Sequence, residues 1–243
     1  MIRLLFCVVF WVVLSIPAAV FGFPALYLTG HVDLLWTLSL WAATTGYRLS
    51  GIRVRAVGRE RLDERAYLFM SNHVSNLDPP IITSLLDRRI SIITKQELFK
   101  IPLFGRAMRA AGFVPIDRSN RRSAIEGIRE AAHVLQTEMG MLVFPEGTRS
   151  RNGKLLPFKK GSFHLAMEAG VSVVPITIVG SYEAWPKGRM SMRKGEVVVN
   201  FHEPIDPHHF AHKEDLLAAV RAAIHGGLPE QYRDSTTVEP ASR

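Results

Sequence analysis

An uncharged apolar run near the N-terminus is the feature that most restricts how this chain can fold. No charged side chain occurs from Leu4 to Leu28, where the sequence reads LLFCVVFWVVLSIPAAVFGFPALYL. A helix needs roughly 20 apolar residues to cross the hydrocarbon core of a bilayer, and this run exceeds that length. Pro17, Gly22 and Pro24 should kink or break its second half, because they weaken helical hydrogen bonding. The run therefore predicts a membrane-associated helix.

A second apolar run follows, and the charges around both runs indicate a topology. Leu34–Ala43 is too short to span a bilayer at about 1.5 Å per residue. The linker between the runs carries no Lys or Arg, whereas arginines flank the pair at Arg3, Arg48, Arg53, Arg55 and Arg59. Because positive residues stay on the cytoplasmic side, we interpret residues 1–47 as a helical hairpin that enters the membrane from that side. The alternatives are a single span and a cleaved signal peptide with a weak cleavage site at residues 17–19.

The rest of the chain alternates between strand and helix patterns. The 243 residues, 47% of them hydrophobic, are enough for one sizeable domain. We predict strands at Ile52–Val57, Tyr67–Met70, Ile90–Ile93, Phe113–Pro115, Met141–Phe144, Val173–Val179 and Val197–Phe201. We predict helices at Pro80–Leu86, Leu103–Ala111, Ser123–Glu138, Ser162–Ala169 and Lys213–Ile224. This order predicts an α/β domain over residues 48–225, with a mixed, largely parallel sheet covered by helices, and a polar tail over residues 226–243 that is disordered or loosely attached.

The stretch SNHVSNLDPP, residues 71–80, holds the first candidates for chemistry. His73 precedes Asp78 by five positions, which is not a shared face of a regular helix, so the two can meet only if residues 74–77 form a turn. The carboxylate would then fix the imidazole tautomer and leave the other ring nitrogen to accept a proton. We predict that Asp78 is also the N-cap of the helix that follows, with Pro79 at its first position, and the structural alternative is a polar loop and an N-cap without a catalytic role.

Three further stretches follow in order: GFVPIDR at 112–118, FPEGTRS at 144–150 and VVPI at 173–176. Together with NHVSNLD they resemble the four motifs of the His-x4-Asp glycerolipid acyltransferase family, and most closely its 1-acylglycerol-3-phosphate acyltransferase branch. The resemblance covers roughly residues 50–205, and bacterial members share the N-terminal hairpin. It implies the glycerolipid acyltransferase fold and a place on the cytoplasmic face of a bacterial inner membrane.

The resemblance also implies a reaction in phospholipid biosynthesis. The family transfers a fatty acyl chain from acyl-CoA or acyl carrier protein to a glycerol hydroxyl, here the sn-2 hydroxyl of lysophosphatidic acid, which gives phosphatidic acid. His73 would act as the general base and Asp78 would orient it, with direct transfer and no cofactor beyond the acyl donor. The single thiol, Cys7, lies in the apolar run, which agrees with direct transfer, and a serine nucleophile stays open.

Binding of the acceptor phosphate is assigned by the resemblance and by charge. In the family, the positions that match Arg118, Glu146 and Gly147 help to bind the glycerophosphate. A turn at Gly147 would let backbone N–H groups approach an anion, and Glu146 would accept a hydrogen bond from a glycerol hydroxyl or hold Arg149. The other candidates for substrate binding lie in or near these motifs: Thr148, Arg149, Lys95 and Lys159.

The formal net charge of +8 indicates an anionic partner. We assign basic residues outside the motifs to an anionic lipid surface: Arg88, Arg89, Arg106, Arg109, Arg121 and Arg122. The Pro102–Phe104 segment is predicted to pack in the core, with membrane insertion as the alternative. The sequence argues against nucleic-acid binding, since basic residues are not interleaved with aromatic ones, and it shows no metal-ligand spacing.

Two other functions stay open. One is an acyltransferase for another acceptor, such as glycerol-3-phosphate, a lysophospholipid with a larger headgroup or an amino-acid lipid. The motifs identify a hydroxyl and a phosphate but not the rest of the headgroup. The other is a non-catalytic lipid-binding membrane protein, which would leave His73 and Asp78 without a role. Consumption of an acyl thioester separates the two classes.

Overall fold

Seven strands form one sheet. The computed structural model describes residues 2–117, 121–137, 139–189 and 191–233. Its strands are β1 Ile52–Val57, β2 Leu68–Ser71, β3 Ser91–Lys95, β4 Val114–Ile116, β5 Met141–Val143, β6 Val173–Val179 and β7 Gly195–Phe201. Their order across the sheet is β1-β7-β6-β2-β5-β3-β4, and each neighbouring pair is parallel except β6 and β7. The predicted mixed, largely parallel sheet is confirmed.

Helices connect these strands and cover the sheet. They are α1 Ile2–Pro17, α2 Phe23–Thr29, α3 Asp33–Leu49, α4 Asp78–Ser84, α5 Phe104–Ala110, α6 Arg121–Gln136, α7 Gly161–Ala169, α8 Ser181–Ala184 and α9 Lys213–Gly227. Short 3-10 turns lie at Arg59–Arg61, Gln96–Lys100, Pro207–His209 and Glu230–Tyr232. Every strand and helix predicted after residue 50 is present, with its ends shifted by no more than three residues.

The sheet is buried on both faces, as parallel sheets usually are. Successive side chains of a strand point to opposite faces, and β2 shows this clearly. Phe69 packs in one core with Ile81 of α4, whereas Leu68 and Met70 pack in a second core with Phe163 of α7. The strand between these two layers is therefore held from both sides, which fixes the position of the loop that follows it.

The N-terminal apolar run forms a helical hairpin. Helix α1 continues through a π-helical segment, Ala18–Gly22, into α2, and α3 packs back along both. Proline has no backbone N–H, and the helix accommodates Pro17 with this π turn instead of breaking. Val9–Thr29 is long and apolar enough to cross a membrane, and only 22% of its apolar 18-residue stretch is buried in the protein. Gly22 permits the close approach of α3, because a Cβ there would lie 2.9 Å from Leu35 Cα.

Contacts at several points join the hairpin to the rest of the protein. The indole of Trp11 stacks on that of Trp185 at 6.3 Å, and Asp33 forms an ion pair with Arg89 at 2.8 Å. A small core, which includes Leu35 and Ala111, lies between the hairpin and α5. The hairpin is therefore packed along the domain, and its apolar surface on the other side is exposed.

The chain after residue 225 differs from our prediction. We predicted a loose tail from Gly226, but α9 continues to Gly227 and Leu228 is buried. The N–H of Leu155 donates to the Tyr232 carbonyl at 3.0 Å, so this part of the segment folds against the domain. Hydrogen bonds and a buried leucine, which composition alone does not reveal, explain the difference. Residues 234–243 lie outside the described residues.

The antiparallel pair of β6 and β7 decides where the chain enters the sheet. Since β7 runs opposite to β6 and β1 is parallel to β7, β1 begins at the edge where β2 and β6 end. Helix α3 ends three residues before β1 begins. The end of the hairpin therefore lies at the edge formed by the carboxyl ends of the parallel strands, where ligands bind in α/β sheets.

Gly180, between β6 and α8, offers a test of this packing. Its φ is +89°, and a Cβ would lie 2.1 Å from the Glu196 carbonyl oxygen, whereas Gly188 has a φ of +86° in open space. We expect Gly188→Ala to lower the free energy of unfolding by about 1 kcal/mol through backbone strain. Gly180→Ala should lower the free energy of unfolding by roughly 1–3 kcal/mol more than Gly188→Ala does, because β7 must also move. Thermal melting in detergent measures both, and equal shifts for the two variants would contradict the close approach.

Candidate active site

The candidate site lies at the edge of the sheet where parallel strands end. His73 follows β2, Glu146 and Gly147 follow β5, and Ser181 follows β6. Strand β2 lies between β5 and β6 in the sheet, so its loop is flanked by the other two. The fold thereby brings together two of the sequence motifs that are far apart along the chain.

His73 and Asp78 are paired through the turn that their spacing requires. His73 Nδ1 lies 2.8 Å from Asp78 Oδ2, and the same oxygen accepts the N–H groups of Val74 and Ser75 at 2.7 Å each. Asp78 Oδ1 accepts the Ser181 hydroxyl at 2.6 Å. The carboxylate is fully buried, and four donors offset the cost of removing it from water.

Asp78 is not the N-cap of α4, so that part of our prediction was wrong. Leu77 occupies the N-cap position without a side-chain hydrogen bond, and Asp78 is the first residue of the helix. Its carboxylate turns back to the preceding loop, where the N–H groups and the imidazole are its donors. The aspartate therefore stabilises the loop that carries His73 and not the first turn of the helix.

The orientation of His73 is fixed on every side but one. Its N–H donates to Glu146 Oε1 at 2.6 Å, its carbonyl accepts the Ser150 N–H at 2.8 Å, and its ring stacks on Phe144 at 3.9 Å. Because an ionised carboxylate only accepts hydrogen bonds, Nδ1 is the donor to Asp78, and in the neutral imidazole Nε2 then carries the lone pair. Nε2 makes no hydrogen bond within the described part of the chain. The side chain is 17% exposed, so this nitrogen can meet a ligand.

Glu146 supports the backbone beneath His73. Its side chain is buried, and its second oxygen, Oε2, accepts the Leu156 N–H at 2.9 Å. Burial raises the pKa of Glu146 to about 8, although the N–H groups of His73 and Leu156 favour the charged form. The predicted contact with Arg149 is not formed, since Arg149 donates instead to the Asn76 side-chain oxygen. Both carboxyl oxygens of Glu146 are engaged by backbone N–H groups.

Of the residues predicted to bind the acceptor phosphate, Gly147 and Lys159 lie together in the structure. Gly147 has a φ of +72°, and the Lys159 side chain lies over it, so that a Cβ would be 3.1 Å from Lys159 Nζ. Thr148 is exposed beside them, and Lys95 is exposed at the end of β3. Arg118 lies outside the described residues. Gly147 and Lys159 also line a cavity of about 230 Å³ whose other walls include Ile93, Ile116, Val143, Phe144 and Leu165.

Sequence reasoning missed two polar residues that hold the site. Ser181 binds Asp78, and Asn72 pairs its side-chain amide with the N–H and carbonyl of Ile178 at 2.8 and 3.0 Å. Asn72 is adjacent to His73 in the motif, and Ser181 follows a glycine at the end of a strand. A small polar residue at the carboxyl end of a parallel strand is the signal that points to both.

We find no arrangement suited to a metal within residues 2–117, 121–137, 139–189 and 191–233. No three His, Cys, Asp or Glu side chains converge there in a way that could hold an ion. That the protein needs no cofactor stays a prediction.

Comparison with known proteins agrees with this geometry. The family described as Acyltransferase matches residues 53–179. The 1-acyl-sn-glycerol-3-phosphate acyltransferase alpha of Bos taurus is 33% identical over 90% of this chain and 76% of its own length. The 1-acyl-sn-glycerol-3-phosphate acyltransferase of Limnanthes douglasii is 35% identical over 74% of this chain and 60% of its own.

A solved structure extends the likeness to the fold. The crystal structure of the 1-acyl-sn-glycerophosphate (LPA) acyltransferase PlsC from Thermotoga maritima aligns with a TM-score of 0.77 at 30% identity, over 93% of this chain and 95% of the other. The chain spans 47–60% of the length of the plant and algal curated relatives it matches. On these likenesses the chain belongs to the acyltransferase family that includes the 1-acyl-sn-glycerol-3-phosphate acyltransferases.

Proposed function

We propose that this chain transfers an acyl group from a thioester to the sn-2 hydroxyl of 1-acylglycerol-3-phosphate and so forms phosphatidic acid. The observation that carries the proposal is the 2.8 Å pairing of His73 Nδ1 with the buried Asp78 carboxylate, while Nε2 has no partner among the residues that the structure describes. Family membership supports the reaction class, and the names of the relatives support the acceptor.

His73 is the general base in this proposal. Nε2 takes the proton of the acceptor hydroxyl as its oxygen attacks the thioester carbonyl carbon. The tetrahedral intermediate collapses, the carbon–sulfur bond breaks, and the imidazolium returns its proton to the departing thiolate. Asp78 stabilises the imidazolium electrostatically and holds the ring in the reactive tautomer.

The hydrogen bonds of three serine hydroxyl groups near His73 support direct transfer. Ser75 donates to the Trp185 carbonyl at 2.7 Å, Ser150 donates to Asn152 at 3.0 Å, and the Ser181 hydroxyl is bound to Asp78. Each of these serines is therefore committed to a structural contact and not to His73 Nε2. A thioester is already activated, so an acyl-enzyme intermediate is unnecessary.

The acceptor phosphate would bind where Lys159 lies over Gly147. The left-handed backbone at Gly147 and the Lys159 ammonium supply a cation beside a sharp turn, a combination that suits an oxyanion. Arg149 is near, since it donates to Asn76 in the turn that connects His73 with Asp78. We keep Arg118, Thr148 and Lys95 as further candidates for this role, and the buried Glu146 as a support of His73.

The acyl donor and the cellular location belong to the same proposal. Acyl-CoA and acyl carrier protein both present a thioester, and either serves the mechanism. The exposed apolar surface of the hairpin supports attachment to a membrane, with the catalytic domain, residues 48–225, on its cytoplasmic face in a bacterial inner membrane. The lysolipid acceptor would then be drawn from the leaflet.

The first test is thiol release by the full chain in detergent. Oleoyl-CoA and 1-acylglycerol-3-phosphate are supplied, and free coenzyme A is followed with a thiol reagent. We expect His73→Ala to lower the rate by about 10²–10⁴-fold, the usual contribution of a general base. His133→Ala, which removes an exposed histidine on α6, is the matched control and should retain the wild-type rate.

The outcomes of this assay distinguish direct acyl transfer from thioester hydrolysis and from a protein without either activity. Thiol release that requires both acceptor and His73 supports direct transfer. Release without acceptor would identify a thioesterase and contradict the acceptor assignment. An absence of release with acyl-CoA and then with acyl carrier protein would contradict the proposed reaction, and an active His73→Ala protein would exclude the mechanism.

Lys159→Met tests the phosphate site. The variant keeps the aliphatic stem over Gly147 but removes the charge, so we expect the KM for 1-acylglycerol-3-phosphate to rise about tenfold with little change in kcat. Lys160→Met is the control, because Lys160 pairs with Glu214 at 3.0 Å instead. A phosphate-free acceptor, 1-acylglycerol, should be used equally well by wild type and Lys159→Met. Equal KM values for the two variants with the phosphate acceptor would contradict the site.

The raised pKa of Glu146 predicts how stability changes with pH. The pKa of Glu146 is about 8 in the folded protein, against an ordinary value of 4.5, so the unfolded chain loses this proton first as pH rises. Stability should therefore fall between about pH 5 and pH 8, by up to about 1.4 kcal/mol per pH unit from this group. Glutamine at position 146 does not titrate. The melting temperature of Glu146→Gln, relative to that of wild type, should therefore rise between about pH 5 and pH 8. A constant difference would mean that Glu146 is ionised throughout.

A further inference from the structure

Large apolar side chains are exposed together between β3 and α5, in residues 98–104, which we call the apolar loop. Leu98, Ile101, Leu103 and Phe104 are 36%, 48%, 57% and 46% exposed. Our prediction that Pro102–Phe104 packs in the core was wrong, because Phe99 takes the buried position of this segment. The outward face of the loop therefore carries four large apolar side chains.

The backbone holds these side chains outward. Leu103 has a φ of 62° and a ψ of −53°, and the Phe104 N–H donates to the Pro102 carbonyl at 2.7 Å, which makes a γ-turn of the rare, strained kind. Gly105 then packs so closely that a Cβ would lie 2.1 Å from the Phe99 carbonyl oxygen. A strained residue persists only where its surroundings determine it, and such residues concentrate at functional surfaces. The loop therefore has a fixed shape.

The apolar loop is continuous with the hairpin. Phe104 lines a cavity of about 470 Å³ together with Trp11 and Phe23 of the hairpin. The Arg106 guanidinium lies 4.3 Å from the centre of the Tyr27 ring, which joins α5 to α2. The two exposed apolar surfaces therefore belong to one side of the protein.

The charges around the loop complement an anionic surface. Four exposed cations flank it against one exposed carboxylate, Glu97: Lys95, Lys100, Arg106 and Arg109, of which Arg109 also donates to the Phe99 carbonyl at 3.2 Å. Arg88 and Arg89, which we also assigned to lipid headgroups, are engaged within the protein by the Glu64 carbonyl and by Asp33. Apolar side chains ringed by cations are typical of segments that lie in the interface of an anionic membrane.

We propose that the apolar loop inserts into the same lipid leaflet as the hairpin, with its flanking cations at anionic headgroups. The loop follows β3, whose carboxyl end belongs to the same edge of the sheet as the His73 loop. Insertion at this point holds the mouth of the candidate site against the leaflet. The inference rests on the membrane attachment in the proposed function and not on its chemistry.

Environment-sensitive labels test the proposal on the full chain. Cys7 is replaced by Ser, and a single cysteine is placed at Ile101, at Leu103 or, as a control, at Val57, which is 37% exposed on β1. Each is labelled with an NBD dye in vesicles of equal parts phosphatidylcholine and phosphatidylglycerol. We expect a blue shift and quenching by nitroxide-bearing acyl chains at 101 and 103 but not at 57. The absence of a blue shift at 101 and 103 would overturn insertion. A blue shift without quenching by the nitroxide-bearing lipid would also overturn it, and would indicate that a protein partner or a second copy covers the loop.

A paired variant separates insertion from a dye effect. With the dye at Leu98→Cys, the double change Ile101→Glu and Leu103→Glu should abolish lipid quenching, whereas Val57→Glu should leave it intact. Melting temperatures of the three proteins check that the fold is retained. Quenching that persists in the double variant would overturn the proposal. The readout needs no turnover, so failure of the proposed reaction would leave this result interpretable.

Discussion

The buried carboxylate of Asp78 is the interaction on which the rest of the site depends. It accepts four hydrogen bonds, from the imidazole of His73, from the two N–H groups that follow it, and from Ser181 beyond β6. An ionised carboxylate without such partners would be expensive to bury, and its cost would fall on the whole fold. The same requirement explains why the loop after β2, the start of α4 and the end of β6 converge at one point.

A second buried acid, Glu146, complements the first. Asp78 orients the ring of His73, whereas Glu146 and Ser150 hold its backbone N–H and carbonyl, and Phe144 closes one face of the ring. Burial is the main reason why the pKa of Glu146 is raised, and the nearby Asp78 carboxylate raises it further. The arrangement immobilises the imidazole except at Nε2, which is the preorganisation that proton transfer needs.

The sequence predicted the strands well because their apolar runs are bounded by turn residues, and β1 and β6 have the predicted bounds. It also predicted that His73 and Asp78 meet, since a turn was the only geometry that could join them. It could not predict the contact of Ser181 with Asp78, because these residues lie 103 positions apart, and it did not predict that the Asp78 carboxylate binds the N–H groups of the preceding loop instead of capping the helix. The apolar loop was misassigned because its composition is that of a core segment, and only the strained turn at Leu103 turns it outward.

The reversed direction of β7 has a consequence for the distance that a lipid must travel. Were β7 and β1 parallel to β6, the chain would leave the hairpin at the opposite end of a seven-residue strand, roughly 20 Å away at about 3.3 Å per residue. The apolar hairpin and His73 would then lie at opposite ends of the domain. With the reversal, and under the proposed function, an acceptor whose acyl chain stays among its neighbours in the bilayer need only raise its headgroup, so that substrate capture would be a two-dimensional search.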